Sequence, residues 1–92
     1  MGTLKGKNAF VSGTSQGIGA AIAEALVKAG CNVCLHYFSS EEEPERIQKL
    51  AEDYQQKAIR VQGDLTQATD VVKCVQGGVD FLGTFFYFFE FR

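Results

Sequence analysis

Residues 12–19 read Ser-Gly-Thr-Ser-Gln-Gly-Ile-Gly, directly after the apolar run Ala9-Phe10-Val11 and directly before a helix-patterned stretch. Gly13, Gly17 and Gly19 therefore fall on a turn between a strand and a helix. Without a Cβ, such a turn can bend sharply and let a ligand touch the main chain. The helix that follows would aim its unpaired N–H groups and positive dipole end at an anion. A strand, a glycine turn and a helix in that order commit the chain to the α/β class and mark a phosphate cradle.

The rest of the chain repeats the same alternation. Asn8 to Ser12 reads as a first buried strand, and Ile18, Ile22, Ala25, Leu26 and Ala29 recur at helical spacing. Gly30 stands where a left-handed helix cap belongs. Asn32 to Tyr37 reads as a second strand. Ser39-Ser40-Glu41-Glu42-Glu43-Pro44 opens a second helix, either by a Ser40/Glu43 capping box or with Pro44 in first helical position. Its acids suit a helix start better than a metal site. Ile47, Leu50 and Tyr54 give that helix its apolar stripe. Ala58 to Val61 is a short third strand; Thr66 or Thr69 then caps a third helix with Val71, Val72, Val75 and Val79 as its buried face. Helices between strands imply right-handed crossovers and a parallel sheet. The expected fold is a partial doubly wound Rossmann unit, β-α-β-α-β-α, over residues 1–84, followed by an atypical aromatic strand in a tail over residues 85–92.

Composition narrows the function classes. Ninety-two residues make one small domain with little stability margin. A net charge of −2 leaves no electrostatic footprint for nucleic acid. No apolar run approaches the length of a membrane span, and the N-terminus has no apolar signal core, which points to a cytoplasmic protein. Met1-Gly2 resembles a myristoylation start, but Gly6 stands where Ser or Thr is required. Cys31 and Cys34 have metal-motif spacing, yet residues three apart along a strand face opposite sides, so their sulfurs diverge. They read as small buried hydrophobes in a reducing compartment.

The glycine spacing, Gly-x-x-x-Gly-x-Gly, together with Asp64-Leu65-Thr66 after the third strand, resembles the short-chain dehydrogenase/reductase family. The family's motif opens on Thr, and Ser12 keeps its hydroxyl. The resemblance runs from about Leu4 to Thr84 and is nearest the 3-oxoacyl-carrier-protein-reductase-like branch. It implies a nicotinamide dinucleotide cofactor. Ser12, Gly13, Ser15, Gln16, Gly17, Ile18 and Gly19 would line its phosphates and adenosine ribose. Asp64 and Leu65 would flank the adenine, the carboxylate accepting from its amino group. An NAD enzyme places an acid at the end of the second strand to hold the ribose 2′-hydroxyl. Tyr37 stands there instead, with Ser39 and Ser40 able to meet a 2′-phosphate, so the expected cofactor is NADP, with NAD as the alternative. The basic residue that NADP-preferring members often carry in the glycine loop is Gln16 here. His36 reads as a strand residue ahead of a phosphate contact.

The catalytic groups of that family are a Tyr acid/base, a Lys four residues on, a carbonyl-polarising Ser and an Asn relay. Their positions come later than this sequence reaches. Tyr54 and Lys57 are only three apart, and Tyr54 belongs to the core stripe. After Thr84 the family continues through an apolar strand into Asn-Asn-Ala-Gly, where this chain has five aromatics and then Glu90-Phe91-Arg92. The pattern is that of a truncated or frame-altered product of a longer reductase gene. Without a fourth strand, the first strand would be an unpaired apolar edge prone to self-association. The aromatic tail has the length to fill that slot but would overfill it. The leading expectation is an NADP-binding N-terminal segment of a hydride-transferring oxidoreductase, inactive alone. The alternatives are a non-catalytic nucleotide-binding module and a non-functional fragment.

Overall fold

The computed structural model describes residues 4–84 and the backbone of Tyr87–Phe89. Seven elements alternate: β1 (Asn8–Val11), α1 (Gly17–Lys28), β2 (Asn32–Tyr37), α2 (Glu42–Asp53), β3 (Ala58–Gln62), α3 (Ala68–Leu82) and β4 (Tyr87–Phe89). The four strands form one parallel sheet in the order β3-β2-β1-β4. The direction of crossover changes at β1, and in open α/β sheets ligands bind beside such a switch, at the carboxyl ends of the strands.

The fourth slot is filled. Ala9, Phe10 and Val11 stand in register with Tyr87, Phe88 and Phe89, so β1 is paired on both sides rather than left as an edge. Positions 85–86 and 90–92 of the aromatic tail lie outside the described residues.

Strand alternation builds two cores. Ala9, Val11, Val33 and Leu35 pack with α1 and α2 through Ala23, Leu26, Val27, Ile47 and Ala51. Phe10 and Cys34 pack with Cys74 of α3 on the other face. Cys31 belongs to the first core and Cys34 to the second, so the two sulfurs diverge as the spacing requires. Burial raises the pKa of all three free thiols, that of Cys34 to about 12. At the amino ends of the strands, Asn8 Nδ2 donates to the carbonyls of Leu82 (2.9 Å) and Thr84 (2.8 Å). Its Oδ1 accepts from Asn32 Nδ2 at 3.0 Å. One side chain thereby fixes the end of α3 against β1 and β2.

Several helical details differ from expectation. In α1 the buried face is Gly19, Ala20, Ala23, Leu26 and Val27; Ala25 is exposed and Ile18 is 67% exposed. In α2 Glu41 is the N-cap and makes no side-chain cap bond, so no Ser40/Glu43 capping box forms. Pro44 is the third helical residue and is buried. Proline is tolerated there because a first-turn N–H has no intrahelical partner. Tyr54 does not complete the stripe; it is the C-cap and 45% exposed. In α3 the N-cap is Gln67, and Thr66 turns its hydroxyl and N–H back to Asp64 instead. The buried residues of α3 are Cys74 and Gly78, while Val72 is 67% exposed. Small residues win that face because the helix sits tight on the sheet: a Cβ on Gly63 would lie 2.7 Å from Cys74 Sγ.

Candidate functional site

Beyond the carboxyl ends of β1 and β2 lies a cavity of about 450 Å³, lined by Gly13, residues 15–19, His36, Phe38 and Ser39. That volume is in the range of small-molecule sites. Its floor is the glycine turn. Gly13 and Gly17 both have φ of +64°, a left-handed backbone that side chains disfavour, and the space a Gly17 Cβ would enter is open. Gly19 serves packing instead, since a Cβ there would collide with the Gly13 carbonyl oxygen. The helix can approach the turn only because position 19 is bare.

The amino end of α1 opens into this cavity. Its N-cap, Gln16, makes no side-chain cap bond, and the first turn holds no acid. First-turn N–H groups lack intrahelical acceptors and carry the positive end of the dipole, so this end suits an anion. None of the lining residues is acidic, and Ser15, Gln16 and Ser39 add neutral hydrogen-bonding groups. Ile18 and Phe38 (60% exposed) supply apolar walls. The cradle would therefore accept phosphate on its glycine side and a flat or apolar group beside it.

The loop is tied down from three directions. Ser15 Oγ donates to the Ser40 carbonyl at 2.7 Å. Thr14, fully buried, donates its N–H (3.0 Å) and Oγ1 (2.8 Å) to the His36 carbonyl. The Gly13 N–H donates to His36 Nδ1 at 3.1 Å. Sequence reasoning passed over Thr14 and undervalued His36. The available signal was strand alternation, which puts His36 on the opposite face from Leu35 and Tyr37.

The sequence-predicted residues divide into two groups. Gly13, Ser15, Gln16, Gly17, Ile18, Gly19 and Ser39 all line the cavity. Ser12, Tyr37, Asp64 and Leu65 do not. Ser12 is buried at the end of β1. Tyr37 is buried too; burial, and a hydrogen bond from its hydroxyl to Glu41, raise its pKa. Glu41 is also paired with Arg60 at 2.6 Å. Asp64 Oδ1 accepts from the Thr66 hydroxyl (2.6 Å) and N–H (2.9 Å), which hold the carboxyl below the usual range. Leu65 packs on the Phe10, Cys34 and Cys74 core. No group of three or more acidic, His or Cys side chains suited to a metal occurs among the described residues. No described helix is long and apolar enough to cross a membrane.

Comparison with known proteins agrees with this geometry. Residues 7–85 match the family described as short chain dehydrogenase. The chain is similar to an uncharacterized oxidoreductase of Methylorubrum extorquens, 41% identical over 83 residues, covering 90% of this chain and 34% of that protein. It is also similar to the L-rhamnose 1-dehydrogenase (NADP(+)) of Thermoplasma acidophilum, 34% identical over 80 residues, covering 87% and 32% of the two chains. Among solved structures, a short chain dehydrogenase from Burkholderia cenocepacia in complex with NADP superposes with a TM-score of 0.86 at 33% identity. That match covers 92% of this chain and 35% of the other. The chain thus spans about a third of the length of the relatives it matches. With the strand order, the glycine turn and the family match in agreement over residues 7–85, the chain belongs to the short chain dehydrogenase family.

Proposed function

We propose that this chain is the N-terminal cofactor-binding part of a short-chain oxidoreductase, holding NADP(H) in preference to NAD(H). The observation that carries the reading is the amino end of α1, which opens uncapped and acid-free into a glycine-floored cavity. Gly13, Ser15, Gln16, Gly17, Ile18 and Gly19 line the phosphates and adenosine ribose, with Ser12 supporting the turn from behind. Asp64 and Leu65 flank the adenine. The preference for NADP rests on Tyr37 standing where an NAD site needs an acid, on a lining free of carboxylates, and on Ser39 as a partner for the 2′-phosphate. Two relatives whose names carry NADP agree with it.

When bound, the reduced cofactor would supply a hydride to a carbonyl and the oxidised cofactor would take one from an alcohol, in the whole protein. In this reading the residues of this chain hold and orient the dinucleotide, and hydride transfer also calls for a positioned proton donor. Titration of the 92-residue chain with NADPH and NADH, followed by nicotinamide fluorescence, tests the reading. The expected result is saturable NADPH binding weaker than about 10 µM (about −7 kcal/mol), with NADH weaker still. No saturation with either cofactor rejects the dinucleotide site; tighter NADH than NADPH rejects the preference.

A further inference from the structure

We propose that His36 is a positioning residue that locks the glycine loop to the turn after β3 through one tautomer of its imidazole. The proposal rests on the dinucleotide reading above and adds to it a residue with no assigned role. His36 sits near the end of β2, 5% exposed, its ring stacked on Phe10 with centroids 6.4 Å apart and planes 18° apart. Nδ1 faces the Gly13 N–H at 3.1 Å, and Nε2 faces the Gly63 carbonyl oxygen at 2.8 Å. An amide N–H only donates and a carbonyl only accepts. Nδ1 must therefore be bare and Nε2 protonated. Of the three forms an imidazole can take, only the neutral Nε2–H tautomer satisfies both partners.

The two partners lie in different loops, 23 and 27 residues from His36 along the chain. One ring thus fixes the distance between the turn that floors the cavity and the turn that carries Asp64. The main chain of the same residue holds Thr14. Two successive amides of the glycine loop, those of Gly13 and Thr14, end on one residue of β2. The Gly13 amide is consequently occupied, and phosphate donors must come from later in the loop. A charged ring would put a second N–H against the Gly13 amide.

The test uses the isotope-labelled 92-residue chain and three variants. In the wild type, nitrogen NMR of the His36 ring should show Nδ1 unprotonated and Nε2 protonated, with the Gly13 amide slow to exchange. His36→Asn keeps an acceptor where Nδ1 was and should keep Gly13 protected, with NADPH affinity within about threefold. His36→Gln keeps a donor near the Nε2 position but no acceptor for Gly13. It should expose that amide and weaken NADPH about tenfold. His36→Phe keeps the stack on Phe10 and loses both bonds, and should weaken binding further. Rescue by Asn and not by Gln separates positioning of the loop from filling of the core. A ring protonated on Nδ1, or His36→Gln and His36→Phe binding NADPH like the wild type with Gly13 still protected, would overturn the proposal. Should His36→Phe fail to fold, the wild-type tautomer and the Asn/Gln pair still decide. A wild type that binds neither cofactor rejects the dinucleotide reading and the positioning role together; normal binding with the other tautomer rejects the clamp alone.

Discussion

Two helices of this chain begin in opposite ways. The first turn of α1 contains no acid and follows a glycine turn, whereas that of α2 carries Glu42, Glu43 and Glu45. Neither has a side-chain cap bond. Both helix starts carry unpaired N–H groups, one fewer in α2 because Pro44 has none, and the same positive dipole end. In α2 the chain's own carboxylates complement that charge, and Arg46 binds Glu43 at 2.9 Å and Glu24 of α1 at 2.7 Å. In α1 the charge is left for something from outside. A helix start without its own counter-charge, facing a cavity, suits an anionic ligand.

The largest expected effect comes from closing the α1 cradle. Gly19→Ala drives a methyl into the Gly13 carbonyl. It should abolish measurable NADPH binding and cost about 2–3 kcal/mol of stability, read by titration and denaturant unfolding. Gln16→Asp makes α1 begin as α2 does. Aspartate is a strong N-cap, so thermal stability should rise by a few degrees, about 0.5–1 kcal/mol. NADPH affinity should fall about tenfold, because a carboxylate lining the cavity would repel the phosphates of the proposed ligand. Opposite signs in the two measurements would establish that α1 trades stability for an anion site; both rising would break the comparison.

Acid separates the two helix starts without mutation. Arg46 lowers the pKa of Glu43, and Arg46 with Lys28 lowers that of Glu24. A carboxyl whose folded pKa is depressed contributes stability above the unfolded value, near 4.3, and loses it as pH falls through the folded value. The α1–α2 contact should therefore loosen below about pH 4, seen as faster amide exchange along Glu42–Asp53. The cavity lining has no carboxylate to titrate. The smallest effect belongs to Glu42→Gln, which removes one exposed charge from the α2 start. It should lower the melting temperature by about 2 °C or less and leave NADPH binding unchanged.

The α/β class, the succession of strands and helices and the glycine turn were legible because each rests on local chemistry. The span read for β2, Asn32–Tyr37, matches to the residue, and the glycines marked the turn that floors the cavity. The phases of α1 and α3 were not legible. Valines at 71, 72 and 79 drew the apolar face of α3 away from Cys74 and Gly78, which are buried because small residues let the helix approach the sheet. Hydrophobicity does not report closeness of approach. His36 was hidden for another reason: its partners are two main-chain groups, Gly13 N–H and the Gly63 carbonyl, and backbone atoms carry no sequence signature.

The divided thiols have a use of their own. Cys31 lies under α1 and α2, while Cys34 lies under α3 and Cys74 on the buried face of α3, with the sheet between the two sets. A neutral buried thiol reacts only when its cover lifts. Pulses of an alkylating reagent during unfolding would then record two clocks in one molecule. Label at Cys31 times the departure of one helical layer, and label at Cys34 and Cys74 times the departure of the other. The order of the two marks says which half of the sandwich holds the sheet last.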